Sequence, residues 1–296
     1  MLEYLAFVLA TPFVGGLIHF LLKDINIMTH IFNSLAGGII LGAGLMHSMP
    51  DAIEGMNNDV YPISYLLMGS TILFLYSIQI FTPYISNKLL LINNIENSNN
   101  IIKLSSYWSS LLIHGVFEGF STGTLLLSGG STTTMVALFI HKTIEYSALG
   151  TRIIKISNNN KIYWGLILSA NVPCVVCFCV SSWYAKNYDN VSGVFASLTS
   201  GTFLYLSLSH IIPETLETNN CCLEEKIYQN PVNEIELKQI ENCENCENCE
   251  KCESKDDTKL DIINQPQKIT IVYKTVGFVF ICIGFAIFGL LALVKD

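Results

Sequence analysis

Residues 106–154 decide the fold of this chain, because they form two apolar stretches that each carry a histidine and a glutamate one helical turn apart. The first stretch contains His114-Gly-Val-Phe-Glu118 and the second contains His141-Lys-Thr-Ile-Glu145. An i,i+4 spacing places both side chains of a pair on one face of a helix. An ionisable group deep in a membrane span is disfavoured by roughly 2.5–3.5 kcal/mol on insertion scales, so such groups usually line a polar site. Two imidazoles and two carboxylates predict a four-ligand site for a divalent metal.

The composition is typical of a polytopic membrane protein. Hydrophobic residues make up 51% of the chain and charged residues only 14%, a balance that disfavours a soluble domain. The formal net charge of −8 is concentrated between Glu217 and Lys268, where 13 Asp or Glu accompany 6 Lys. No basic face is apparent, so no nucleic-acid partner is expected.

Apolar runs of roughly 20 residues predict eight transmembrane helices. Their approximate bounds are 2–22, 31–53, 62–82, 106–127, 132–154, 162–185, 191–215 and 270–294. The first run lacks the basic segment of a cleavable signal and is expected to remain in the protein. The chain therefore divides into residues 1–215 with seven spans, a hydrophilic insert at 216–269 and residues 270–296 with the eighth span. The composition of the insert predicts disorder.

The positions of the positive charges predict the orientation in the membrane. The links after the first, third and fifth spans contain six Lys or Arg, whereas those after the second, fourth and sixth contain one. This asymmetry places the first set of links in the cytosol and both termini outside it. The plasma membrane is the expected location, and an organelle membrane is the alternative.

The second and seventh spans carry matching motifs that indicate an internal repeat. His47-Ser-Met-Pro-Asp51 continues to Glu54, and His210-Ile-Ile-Pro-Glu214 continues to an equivalent glutamate, so both motifs read His-x-x-Pro-acid-x-x-Glu. The two helices are predicted to run in opposite directions, and inverted repeats are typical of alternating-access carriers. We expect His47 and Asp51 on the outer approach, and His210 and Glu214 on the inner release route.

These motifs together resemble the Zrt/Irt-like protein (ZIP) family of zinc and iron transporters, across essentially all eight spans. The resemblance implies an all-α integral membrane protein with eight transmembrane helices in a 3+2+3 arrangement, in which helices 1–3 and 6–8 form the inverted repeat. It implies import of Zn²⁺ or Fe²⁺ into the cytosol, with the metal as substrate and no cofactor, and a homodimer in the lipid membrane. The transport ligands that it implies are His114, Glu118, His141 and Glu145.

The sequence departs from family members that hold two metals. Those members carry Asn after the fourth-helix histidine, Asp after the fifth-helix histidine and a glutamate in the sixth helix. Here the first two positions are Gly115 and Lys142, and the sixth span has no acid, with Asn171 and Pro173 as its nearest polar feature. An ammonium group at Lys142 would replace or repel a second divalent cation. The sequence therefore predicts a single-metal site, as in the His-Lys branch of the family.

The acidic insert carries a cysteine repeat. Cys243, Cys246, Cys249 and Cys252 follow one another at C-x-x-C spacing, which suits zinc or another soft metal. The predicted cytosolic position favours reduced thiols over disulfides. The alternative is a low-complexity repeat in a tolerant loop, without a bound metal.

An intramembrane metal-dependent lipid hydrolase or hydroxylase is the alternative to a transporter, because such enzymes also place His and acids in helices. They usually show His-rich clusters or His-Glu-x-x-His, with an open coordination position for water. This chain has six His and lacks that motif. A transporter without enzymatic activity is therefore the favoured hypothesis.

Overall fold

The computed structural model describes residues 2–22, 26–56, 62–90, 98–127, 132–157, 159–184, 191–216 and 260–293. All regular elements within these ranges are helical, which confirms the predicted all-α class. They are α1 (Leu2–Leu22), α2 (Asn26–Gly42), π1 (Ala43–Ser48), α3 (Met49–Glu54), α4 (Ile63–Leu90), α5 (Ser98–Leu127), α6 (Thr132–Ile154), α7 (Asn160–Tyr184), α8 (Val191–Tyr205), π2 (Leu206–Ile211), α9 (Ile212–Leu216) and α10 (Leu260–Leu293). Cys243, Cys246, Cys249 and Cys252 lie outside the described residues.

Five helical stretches of the described chain are long and apolar enough to cross a membrane. They are Ile27–Glu54, Ile63–Thr82, Asn160–Trp183, Val191–Leu216 and Val272–Leu293. Helix α1 contains a shorter apolar stretch, Leu5–Ile18. Helices α5 and α6 are also long, but they hold the His-Glu pairs and many other polar residues. The last helix begins at Leu260, so it starts within the range that the sequence assigns to the insert.

Two helices pass through a π-helical turn at equivalent points of the repeated motif. Helix α2 continues through π1 into α3, and α8 continues through π2 into α9. His47 lies in π1 and His210 in π2, and Pro50 and Pro213 follow three residues later. Proline has no N–H for the i→i−4 bond, and a π turn inside an α-helix is frequently found at a functional site. The two motifs therefore share a local backbone geometry as well as a sequence pattern.

The helices pack in matching pairs around the centre of the protein. Helix α5 lies along α7 and α6 lies along α1, while α2 lies along α10 and α8 lies along α4. Helix α5 also packs against α8. These contacts surround α5 and α6 with other helices, so the polar face of each is directed into protein.

A row of glycines on α5 allows α7 to approach closely. Gly115, Gly119 and Gly123 are spaced by four residues and face α7, and a Cβ at Gly119 would lie only 2.4 Å from the carbonyl oxygen of Cys174. Small residues at this spacing let membrane helices pack backbone to backbone. The glycine row therefore places Cys174 of α7 beside the polar face of α5.

Candidate metal centre

Helices α5 and α6 bring the two His-Glu pairs together in the interior. His114 and Glu118 lie one turn apart on α5, and His141 and Glu145 lie one turn apart on α6; all four side chains are buried. The Nε2 atom of His114 lies 3.0 Å from Oε1 of Glu145 and 3.5 Å from Oε2 of Glu118. These three residues each place one ligand atom within 4.8 Å of the others. The arrangement offers one nitrogen and two oxygen ligands to a cation.

His141 lies at the edge of this three-residue group. Its Nε2–H donates to Oε1 of Glu118 at 2.5 Å, and its ring packs edge-on against Phe203 at 5.0 Å between centroids. Its Nδ1 atom has no hydrogen-bond partner among the described residues. The structure thus groups three of the four predicted ligands and connects the fourth to them through Glu118.

Lys142 places an ammonium group between the two carboxylates. Its Nζ atom is ion-paired with Oε2 of Glu118 and lies 3.0 Å from Oε2 of Glu145. The Lys142 side chain is only 1% exposed. Buried charges are strongly unfavourable unless they are paired, so the ammonium group and the two carboxylates stabilise one another in the interior.

Within the group formed by His114, Glu118 and Glu145, two ligand atoms make no well-aligned hydrogen bond in the described part of the chain. They are Nε2 of His114 and Oε1 of Glu145, which lie 3.0 Å apart as an ion pair. Most buried polar atoms in proteins have a hydrogen-bond partner. A nitrogen and a carboxylate oxygen that converge in this way are suited to share a cation.

The four predicted ligands (His114, Glu118, His141 and Glu145) form a buried His-Glu cluster. A small cavity connects this cluster with the His47 side of the protein. His47 Nδ1 lies 3.5 Å from Oδ2 of Asp51, and both residues line a cavity of about 20 Å³ together with Glu118 and His141. A polar cavity of this volume is large enough for a single water molecule. The predicted outer pair and two of the predicted ligands therefore border the same space.

The His210 side has a larger cavity and a different electrostatic character. His210 and Glu214 line a cavity of about 560 Å³. The two carboxylate oxygens of Glu214 lie 2.6 Å from Arg152 and 2.5 Å from Lys155. His210 Nε2 lies 3.2 Å from the hydroxyl of Tyr205. In this conformation, Glu214 is thus already neutralised by two basic side chains.

Tyr107 contacts Glu145 on one side and Arg152 on the other, and Arg152 lines this larger cavity. Tyr107 is fully buried, and its hydroxyl donates to the carbonyl oxygen of Glu145 at 3.5 Å. The Arg152 guanidinium lies 4.0 Å from the centre of the Tyr107 ring and donates to the carbonyl oxygens of Ala148 and His210. These two side chains therefore lie between Glu145 and the cavity beside Glu214.

Several site residues were not singled out from the sequence. Arg152 could have been found, because it lies seven residues after Glu145 and therefore on the same face of α6. Tyr107 has the same seven-residue relationship to His114 on α5. Thr202 of α8, whose hydroxyl lies 2.6 Å from Nδ1 of His114, carries no comparable signal in its local sequence.

One known protein family matches the part of the chain that contains the predicted ligands. The model of the ZIP zinc transporter family matches residues 106–292. This range is more than half of the chain and includes all four predicted ligands. No curated protein matches the chain.

Proposed function

Because this chain belongs to the ZIP zinc transporter family, whose members transport divalent metals, we propose that it carries Zn²⁺, Fe²⁺ or both into the cytosol. It is an integral, multi-pass membrane protein. The proposed transport site consists of His114, Glu118, His141 and Glu145. The family match favours transport over an intramembrane hydrolase or hydroxylase.

The observation that carries the proposal is the buried group formed by His114, Glu118 and Glu145, whose ligand atoms lie within 4.8 Å of one another. Imidazole nitrogen and carboxylate oxygen are suitable ligands for Zn²⁺ and Fe²⁺. His141 would complete the set by a side-chain rotation that releases its hydrogen bond to Glu118. The two glutamates supply the negative charge that a dehydrated divalent cation requires in the interior.

The cavity beside His47 and Asp51 supports metal entry from that side. Asp51, Glu118 and His141 line the same cavity. A cation bound to Asp51 would therefore have to cross only this cavity to reach Glu118 and His141. On the opposite side, Tyr107 and Arg152 lie between Glu145 and the cavity beside Glu214. Release towards His210 and Glu214 therefore requires Arg152 to move away from Glu214, which would free a carboxylate next to the exit.

We propose that the protein lies in the plasma membrane, that the side of His210 and Glu214 faces the cytosol, and that both termini lie on the extracytosolic side.

Lys142 explains why one metal is expected rather than two. Its ammonium group contacts both acids, in the region where a second divalent cation would need the same oxygens. We propose that the arriving metal displaces the ammonium group from Glu118. After release, Lys142 pairs with both acids again, so the empty site keeps its charge compensation.

The test is uptake of ⁶⁵Zn and ⁵⁵Fe by cells that express the chain. His114→Ala and Glu118→Gln should abolish uptake while surface expression, measured by biotinylation, stays at the wild-type level. Glu3→Gln is a matched control, because it makes the same acid-to-amide change at an exposed position of α1. Wild-type uptake rates in both site variants would contradict the proposal. Competition between the two metals would show which one is preferred.

A further inference from the structure

Thr202 of α8 makes a side-chain contact with the proposed ligand His114 across the α5–α8 interface. Nδ1 of His114 lies 2.6 Å from Oγ1 of Thr202. The same hydroxyl oxygen lies 2.6 Å from the carbonyl oxygen of Thr199. All three residues are buried, with Thr202 and His114 both at 0% exposure.

These two short contacts determine which atom donates in each. A contact of 2.6 Å between an oxygen and another electronegative atom requires a hydrogen between them. A carbonyl oxygen has no hydrogen to give, so the single hydrogen of the Thr202 hydroxyl must point to Thr199. The hydrogen in the other contact must then come from Nδ1 of His114.

A histidine that donates from Nδ1 presents Nε2 as a lone pair when the ring is neutral. Nε2 is the atom that faces Glu118 and Glu145. The Thr202 hydroxyl therefore favours the ring orientation and the tautomer that direct the Nε2 lone pair towards Glu118 and Glu145. His141 differs in this respect, since its Nδ1 has no hydrogen-bond partner in the described part of the chain.

We propose that Thr202 is a positioning residue for metal binding, which acts by holding His114 in its metal-binding tautomer. This inference rests on the proposed function of His114. Residues that hydrogen-bond the second nitrogen of a metal-binding histidine typically change metal affinity by about 10–100-fold when they are replaced. Thr202 does not itself contact the transported metal in this proposal.

The test is the KM of ⁶⁵Zn uptake and the affinity of the purified, full-length protein for Zn²⁺ in competition with a fluorescent chelator. Thr202→Val keeps the shape but removes the hydroxyl, so KM and the dissociation constant should rise by about 10-fold or more. Thr202→Ser keeps the hydroxyl and should restore both values. Thr71→Val is a matched control, because Thr71 is a buried threonine whose hydroxyl donates, among the described residues, only to the carbonyl oxygen of Leu67 in its own helix.

The outcomes separate this inference from the proposed function. Loss of uptake in His114→Ala together with an unchanged KM in Thr202→Val would overturn the role of Thr202 alone. An equal rise of KM in Thr202→Ser would also overturn this role, because packing rather than the hydroxyl group would then be responsible. If Thr202→Val does not elute as a folded protein, Thr202→Ala provides the same comparison with less steric demand. Added to His114→Ala, the Thr202→Val change should weaken Zn²⁺ binding no further.

Discussion

The ammonium group of Lys142 lies 3.0 Å from Oε2 of Glu145, while Oε1 of the same carboxylate lies 3.0 Å from Nε2 of His114. Glu145 thus contacts the ammonium group of Lys142 with one oxygen and the proposed ligand nitrogen of His114 with the other. We therefore expect the charge of residue 142 to determine how many metal ions the centre can hold.

Changing Lys142 to Asp together with Gly115→Asn should raise the metal content of the centre from one ion per chain towards two. The double change removes the ammonium group and introduces the two residue types that two-metal relatives carry at these positions. A Cβ at Gly115 would lie 3.4 Å from the backbone nitrogen of Cys174, which is an ordinary van der Waals contact. Elemental analysis of the purified protein, with the insert cysteines replaced by serine, measures the ratio. Two bound metals in the otherwise wild-type centre would contradict the role assigned to Lys142.

Arg152→Ala should destabilise the protein much more than Lys155→Ala, although both side chains pair with Glu214. Arg152 is 7% exposed and Lys155 is 54% exposed. Arg152→Ala also removes the hydrogen bonds to the carbonyl oxygens of Ala148 and His210 and the contact with the Tyr107 ring, whereas the exposed Lys155 pair contributes about 0–1 kcal/mol. Thermal unfolding in detergent compares the two variants. Equal losses of stability in the two variants would show that the buried contacts of Arg152 do not contribute more to stability than the exposed Lys155 pair.

Gly119→Ala should lower both the thermal stability and the uptake rate, because the new methyl group would meet the backbone carbonyl of Cys174 at 2.4 Å. Helices α5 and α7 must then move apart, which displaces Glu118. Gly165→Ala on α7 is the matched control, since a Cβ there meets no atom of another helix within 4 Å in the described part of the chain. The close α5–α7 contact would be refuted by a Gly119→Ala protein that melts and transports like the Gly165→Ala protein.

Deleting Glu241–Glu253 should preserve transport but change its rate or its response to cytosolic zinc. The motivation is the repeat Cys243, Cys246, Cys249 and Cys252, which lies outside the described residues and outside the predicted spans. Replacing the four cysteines by serine is the matched control, because it removes the thiols and keeps the loop length. Unchanged rate and unchanged zinc response in both variants would favour the low-complexity interpretation. Complete loss of uptake, with normal targeting, would show that the loop is misplaced in our topology.

The sequence predicts the helical class, the family and the pairing of the two His-Glu steps, because these depend on hydropathy and on spacing within single helices. The sequence does not predict which helices contact one another. The glycine row 115, 119 and 123 is visible in the sequence, but its partner helix is not. The contact of Lys142 with both acids depends on how α5 and α6 approach each other. The contact between His114 and Thr202 joins residues that are 88 positions apart. The local sequence does not distinguish Thr202 from the other threonines of the membrane helices.

The most direct test of the proposed His-Glu transport site is X-ray absorption spectroscopy of bound zinc. The protein used is the variant in which serine replaces Cys243, Cys246, Cys249 and Cys252. We predict a shell of nitrogen and oxygen ligands at about 2.0–2.2 Å, with outer scattering from two imidazole rings. The His141→Ala variant should lose the contribution of one ring. A sulfur shell at about 2.3 Å, or a spectrum that His141→Ala and Glu118→Gln leave unchanged, would contradict the site.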